Sequence, residues 1–193
     1  MPFPSNWLEE LVAEWLSLKG YLVETNLRLQ AGQTGGAYEA DVIGVKLGED
    51  SLEIKHVECM TQLVEKPSEE PLQRILRKFS EECIDSVKKF IMSRFRKSLE
   101  RREYDKLLVV GYVSNEEGWK RSLENNEIRL VTFRELMQEI VRTIDEWKKE
   151  RKSAGLIKGE TLRFPWITLP TSYWMLNLVD VLKSLRINPC ELE

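Results

Sequence analysis

The sequence predicts an α/β fold, a mixed β-sheet with helices on both faces. Three observations support this. The N-terminal third holds one helical pattern and then three strand patterns spaced closely enough to form a meander. From residue 68 onward helical and strand patterns alternate, which implies parallel strands joined by crossover helices. At 193 residues, with 42% hydrophobic and 32% charged residues, the chain can bury one substantial core.

Ser5 or Asn6 caps the first helix, whose apolar positions are Leu8, Leu11, Val12, Trp15 and Leu16, and Lys19-Gly20 ends it. Tyr21–Leu29 reads as a strand. The glycine-rich connection 31–36 lacks the Gly-Lys-Ser/Thr ending of a nucleotide-binding loop. Tyr38–Leu47 and Leu52–Met60 form a hairpin around Gly48–Ser51. Ser68-Glu-Glu-Pro71 opens a helix, and apolar positions from Leu72 to Leu99 carry it to about Arg102 with a break near Met92–Lys97. Lys106–Val113 suits a buried strand, and Ser114–Glu117 is a capping box for a short helix containing Trp119 and Leu123. Ile128–Val131 is the last strand, and Thr132–Glu135 caps a helix reaching about Lys152.

Ala154-Gly155 is the clearest linker. It divides a core, residues 1–153, from an extension, residues 154–193, expected to pack on the core or on a partner subunit. The extension holds an extended stretch, Leu162–Leu169, and an amphipathic helix, Thr171–Arg186. Of the six tryptophans, Trp7, Trp15, Trp119 and Trp147 read as core, while Trp166 and Trp174 suit a dimer interface.

Composition narrows the chemistry. No apolar run approaches membrane-spanning length and the N-terminus lacks signal-peptide regions, so a cytoplasmic protein with no membrane partner is expected. Cys59, Cys83 and Cys190 are too few and too scattered for a disulfide framework. With His56 the single histidine, an ordinary zinc site is excluded in practice, and nothing like a nucleophile elbow accompanies it. Any metal is therefore hard and oxygen-bound, meaning Mg2+ or Mn2+.

Charge is unevenly spread. Residues 1–70 carry 5 Lys/Arg against 13 Asp/Glu, whereas residues 71–102 carry 10 against 4. An acidic region beside a basic helix is the layout of a metal site acting on a polyanion. Within the acidic region, a two-residue turn at Glu49-Asp50 makes opposite residues of the hairpin sum to 99, which sets Asp41 against Glu58. A shift of one residue at the turn sets Asp41 against Met60 instead. Facing carboxylates repel unless a cation sits between them. On the first helix, Glu9 lies at the rim of the apolar face and is the candidate third carboxylate, while Glu10 points to water. Glu53-Ile-Lys55 copies the spacing of a catalytic motif but lies near the turn, about 17 Å from Glu58 at ~3.4 Å per residue. It reads as an exposed ion pair.

Glu9 on a helix ending Leu18-Lys-Gly-Tyr21, then Gly36-Ala-Tyr-Glu-Ala-Asp41, then Val57-Glu-Cys-Met60, resembles the PD-(D/E)XK nuclease superfamily, with its restriction-endonuclease-like fold. Archaeal Holliday-junction resolvases and restriction-type endonucleases are the nearer look. The resemblance covers about residues 5–135. It implies a Mg2+-dependent endodeoxyribonuclease acting on duplex or branched DNA, as a homodimer if both strands are cut. Glu9, Asp41 and Glu58 would be metal ligands, with the Cys59 carbonyl an extra one, and Arg74, Arg77, Lys78, Lys88 and Lys89 would contact phosphates.

One position departs from the pattern: the superfamily's lysine falls on Met60. Three readings follow. In the first, Lys78 or Lys88 is the cation that reaches in from the basic helix. In the second, Gln62, on the same strand face, is its neutral substitute. In the third, the chain is a catalytically impaired relative that binds nucleic acid or acts as a scaffold, with Met60 an ordinary core side chain. His56 shares the Glu58 face and reads as a satisfied structural histidine. The nuclease reading requires all three acids to gather in one pocket, and not to be neutralised each by its own lysine or arginine.

Overall fold

A computed structural model describes residues 6–29, 38–48, 51–95, 101–153, 169 and 172–185. The glycine-rich connection, the linker at Ala154-Gly155, most of Leu162–Leu169 including Trp166, and Cys190 lie outside the described residues.

Helix α1 (Trp7–Leu18) opens on Asn6, whose side-chain oxygen accepts from the backbone N–H of Leu8 at 2.9 Å and of Glu9 at 3.1 Å. It ends at Gly20, whose φ of +85° an L side chain would resist. Three antiparallel strands follow, β1 (Leu22–Leu29), β2 (Tyr38–Leu47) and β3 (Ser51–Leu63). The β2–β3 ladder runs from Val42 opposite Val57 to Leu47 opposite Leu52, which is the 99 register. Period-two alternation excludes a register that would turn Val42 or Val57 out of the core, and between the two registers that keep both inside, the ladder takes the one that sums to 99.

After β3 come α2 (Glu69–Lys78) and α3 (Glu81–Phe95), then β4 (Arg101–Val113) parallel to β3. Helix α4 (Glu116–Glu124) returns the chain to β5 (Ile128–Thr132), parallel to β4, and α5 (Phe133–Ser153) and α6 (Trp174–Ser184) complete the order. The five strands lie in the order β1-β2-β3-β4-β5. This mixed sheet carries α1, α5 and α6 on one face, around Val42, Val57, Val109 and Val131. Helices α2, α3 and α4 cover the other.

The single long helix expected after Pro71 is two helices, and the break falls at Phe79-Ser80 rather than near Met92–Lys97. Phe79 is buried against the His56 ring, with centroids 4.8 Å apart. Ser80 restarts the helix by accepting from the Cys83 N–H at 3.4 Å. A serine followed by Glu81-Glu82 is a helix opening in its own right. The continuous apolar periodicity across the break concealed it.

Helix α6 packs on α1 and α5 through charged as well as apolar contacts. Glu14, buried on α1, accepts from the first N–H groups of α6, Leu176 at 2.9 Å and Met175 at 3.3 Å. Lys148 holds both oxygens of the buried Asp180 at 2.6 Å. Glu14 thus supplies from another helix the N-terminal cap that α6 lacks in its own sequence. Glu14→Ala is expected to lower stability by about 2 kcal/mol, the loss of charge-assisted hydrogen bonds, and thermal denaturation will measure it. Glu10, expected to face water, is half-buried and accepts from the Trp174 indole. No helix among the described residues is long and apolar enough to cross a membrane.

Candidate functional site

Extending the β2–β3 register by one residue from Val42 and Val57 places Asp41 opposite Glu58. The β1 partner of Asp41 would be Asn26, but that pair is skipped and Asn26 has φ +51°. The ladder is therefore interrupted at Asp41, and the backbone N–H of Cys59 donates instead to Asp41 Oδ2 at 2.8 Å.

Glu58 is fully buried in mid-sheet and accepts at both oxygens. His56, also fully buried, lies 3.0 Å from Glu58 Oε1 through Nε2 and 2.8 Å from the Tyr104 hydroxyl through Nδ1. Nε2 faces the Glu58 carboxylate and Nδ1 faces the Tyr104 hydroxyl, whose phenol burial holds well above its usual pKa. His56 is thus satisfied at both nitrogens, as expected of a structural histidine, and it fixes the Glu58 carboxylate.

The other oxygen, Oε2, accepts from Lys78, the last residue of α2. Its ammonium also lies 3.5 Å from Asp41 Oδ2. One cation therefore stands between two carboxylates, delivered from the helix rather than from the strand. Burial pulls the Lys78 ammonium down, but Glu58 and Asp41 outweigh it and hold its pKa above the ordinary lysine value. Burial, and after it the charge of Glu58, push the Asp41 carboxyl up to about 7, against the pull of Lys78 and of the Cys59 N–H. Glu9 adds to that push, and burial together with these acids also raises the Cys59 thiol.

Glu9 itself is buried and accepts from the Asn6 amide, closing the helix cap. It acts on Asp41 through its charge. Among the described residues no three His, Cys, Asp or Glu side chains come together as a metal set. What the fold gathers is the pair Asp41 and Glu58. Two hard carboxylates, completed by waters and substrate oxygens, are how Mg2+ is ordinarily held, so the donor set fits that ion. Glu53 is bonded to Tyr21 and to Lys55, the latter at 2.8 Å, as an ion pair away from the site.

Met60 is partly buried against the core cluster that includes Leu63, Ile75 and Phe79. It floors a cleft of about 370 Å3 that Gln62, Arg74 and Lys78 also line. Gln62 is exposed there, and Arg74 is paired with Glu65. Arg77 and Lys89 are exposed on the same helical layer, and the Lys88 ammonium sits 5.8 Å from the centre of the Tyr104 ring. The Tyr104–His56–Glu58 chain was not anticipated from the sequence. It depends on the β3–β4 register, with Ile54 opposite Tyr104 and His56 opposite Lys106, which no local pattern encodes.

No family model and no curated protein matches the chain. A solved structure described as that of a protein of unknown function, AF1548, aligns with a TM-score of 0.44 at 16% sequence identity, covering 91% of this chain and 95% of that one.

Proposed function

We propose that the chain is a Mg2+- or Mn2+-dependent endodeoxyribonuclease of the PD-(D/E)XK type, acting on duplex or branched DNA. The observation that carries this reading is the Lys78 ammonium between Asp41 and Glu58. It provides from α2 the cation that Met60 cannot provide from β3. Asp41 and Glu58 would hold the ion, with the Cys59 carbonyl as an added donor. When bound, the ion supplies Lewis acidity toward a phosphodiester and an acidified water.

The chain's own groups do the rest. His56 and Tyr104 lock Glu58 in one orientation, so the carboxylate needs no rearrangement to accept a cation. Lys78 stays charged at neutral pH and can turn from Glu58 to a phosphate oxygen, where negative charge grows in the transition state. Arg74, Arg77, Lys88 and Lys89 would steer the DNA backbone along α2 and α3, and Gln62 would line the entrance. A homodimer would bring two such sites to opposite strands. A cytoplasmic location fits this reading.

One observation favours a second reading, a nuclease-like protein that binds or scaffolds DNA without cutting it. Lys78 already bonds Glu58 and lies 3.5 Å from Asp41, so one protein cation faces both acids. Supercoiled plasmid and a four-way DNA junction, each incubated with Mg2+, Mn2+ or EDTA, separate the two. Cleavage in either metal and none in EDTA is expected. Binding of the junction with no cleavage in either metal would establish the scaffold instead.

A further inference from the structure

A second cavity, of about 690 Å3, lies away from the candidate site, between the C-terminal end of α1, the starts of β4 and β5, and α5. Five cationic side chains line it, each from a different part of the fold: Lys19 after α1, Lys55 on β3, Lys106 on β4, Arg129 on β5 and Arg142 on α5. Convergence of this kind from five elements is not a solvated helix face. Only three acids, Asp105, Glu127 and Glu139, share the lining.

The acids are already engaged. Asp105 bonds Lys55, Glu127 lies 3.5 Å from Lys106, and Glu139 holds Arg142 at 2.6 Å. Lys19 and Arg129 have no carboxylate within ion-pair distance among the described residues. The Lys19 ammonium instead lies 4.9 Å from the centre of the Trp15 ring. Burial is the chief cause that holds its pKa below the ordinary value; Glu139 opposes it, Lys55 and Arg142 add to it, and Glu53 opposes it again. Two cations without an ion-pair partner among the described residues, Lys19 half-buried and Arg129 exposed, facing one cavity are the electrostatic complement of an anion. The rest of the wall is formed by Trp15, Leu16, Tyr104, Leu107 and Val131.

We propose that this cavity binds a small phosphate-bearing ligand of mononucleotide size, with Lys19 and Arg129 taking the phosphate and Leu16, Leu107 and Val131 taking the ring portion. The volume falls within the range of small-molecule sites. The proposal stands independently of the nuclease reading, because none of these residues belongs to the Asp41–Glu58–Lys78 group.

The test is calorimetric titration of the full chain in EDTA with inorganic phosphate, adenosine monophosphate and a short single-stranded oligonucleotide. Adenosine monophosphate is expected to saturate one site and to bind at least about tenfold tighter than phosphate. Lys19→Ala with Arg129→Ala should weaken it by about tenfold or more while leaving the melting temperature unchanged or higher, since neither cation has a carboxylate partner to lose. Arg129→Ala alone, at an exposed position, keeps the test valid should the double variant misfold. Asp41→Asn must bind the nucleotide as wild type does. The proposal is overturned by no saturable binding at millimolar nucleotide, by equal affinity in the variants, or by an oligonucleotide that outcompetes the mononucleotide in a length-dependent way.

Discussion

Lys78→Ala is expected to slow metal-dependent DNA cleavage by about 10²–10³-fold, the cost of removing one preorganised donor from a site where anionic charge develops. Folding should survive, because Lys78 is more than a third exposed and ends a helix that Ile75 and Phe79 anchor. The informative partner is Met60→Lys. Alone, it adds a second buried cation beside one that already serves both carboxylates, so little gain is expected. Combined with Lys78→Ala, it returns a lysine to the strand face that bears Glu58, and about a tenth of the lost rate should come back. Single-turnover cleavage of a plasmid substrate measures all four proteins. If Lys78→Ala cuts as fast as wild type, the ammonium is a structural counterion and the helix-borne lysine is refuted. If only Met60→Lys confers activity, the wild-type site has decayed and the scaffold reading is correct.

The second large effect concerns Asp41 and pH. Its carboxyl sits at about 7 in the folded chain, raised from 3.8. A folded acid with a raised pKa holds its proton where the unfolded chain releases it. The stability it contributes is therefore fully present below about pH 4 and is lost as pH rises through about 7. A shift of this size, about 1.4 kcal/mol per unit, corresponds to an effect on the order of 2–4 kcal/mol. Asp41→Asn should then be more stable than wild type at pH 8 in EDTA and equal to it at acid pH, with a difference in melting temperature of about 5 °C. A divalent ion should reverse the order at pH 8, stabilising wild type and not the variant. Cleavage should rise with pH through 7 for the same reason. Parallel pH profiles of stability for the two proteins would falsify the raised carboxyl, and no metal-induced shift in wild type would remove Asp41 as a ligand.

The residues of the hairpin show how far local pattern reaches. Alternation put Asp41, Glu58 and Met60 on one face, because a slip of one residue would turn every side chain over. It left Asp41 opposite either Glu58 or Met60, and the observed ladder, with Val42 opposite Val57, decided for Glu58. Helix α1, its Asn6 cap and the mixed sheet were legible for the same reason, since alternation and helical period report burial directly. Glu9 was legible as a residue near the buried face, and the depth of its burial was not. Helical period also misled. It ran unbroken through Phe79-Ser80, because both helices present their apolar faces to the same side of the sheet.

What the amino-acid order determined unaided is thus the elements and the shared face of Asp41 and Glu58, while the ladder between β2 and β3 chose which residues stand opposite. The tertiary structure also decided which cation meets the two acids. Lys78 reaches Glu58 because α2 stops one residue before Phe79 turns in against His56, and His56 orients Glu58 because β4 aligns so as to bring Tyr104 beside it. The contacts from β4 and α2 span 48 and 20 residues of chain. Local propensity fixes side-chain direction within an element, whereas contacts of that range follow from how whole elements pack.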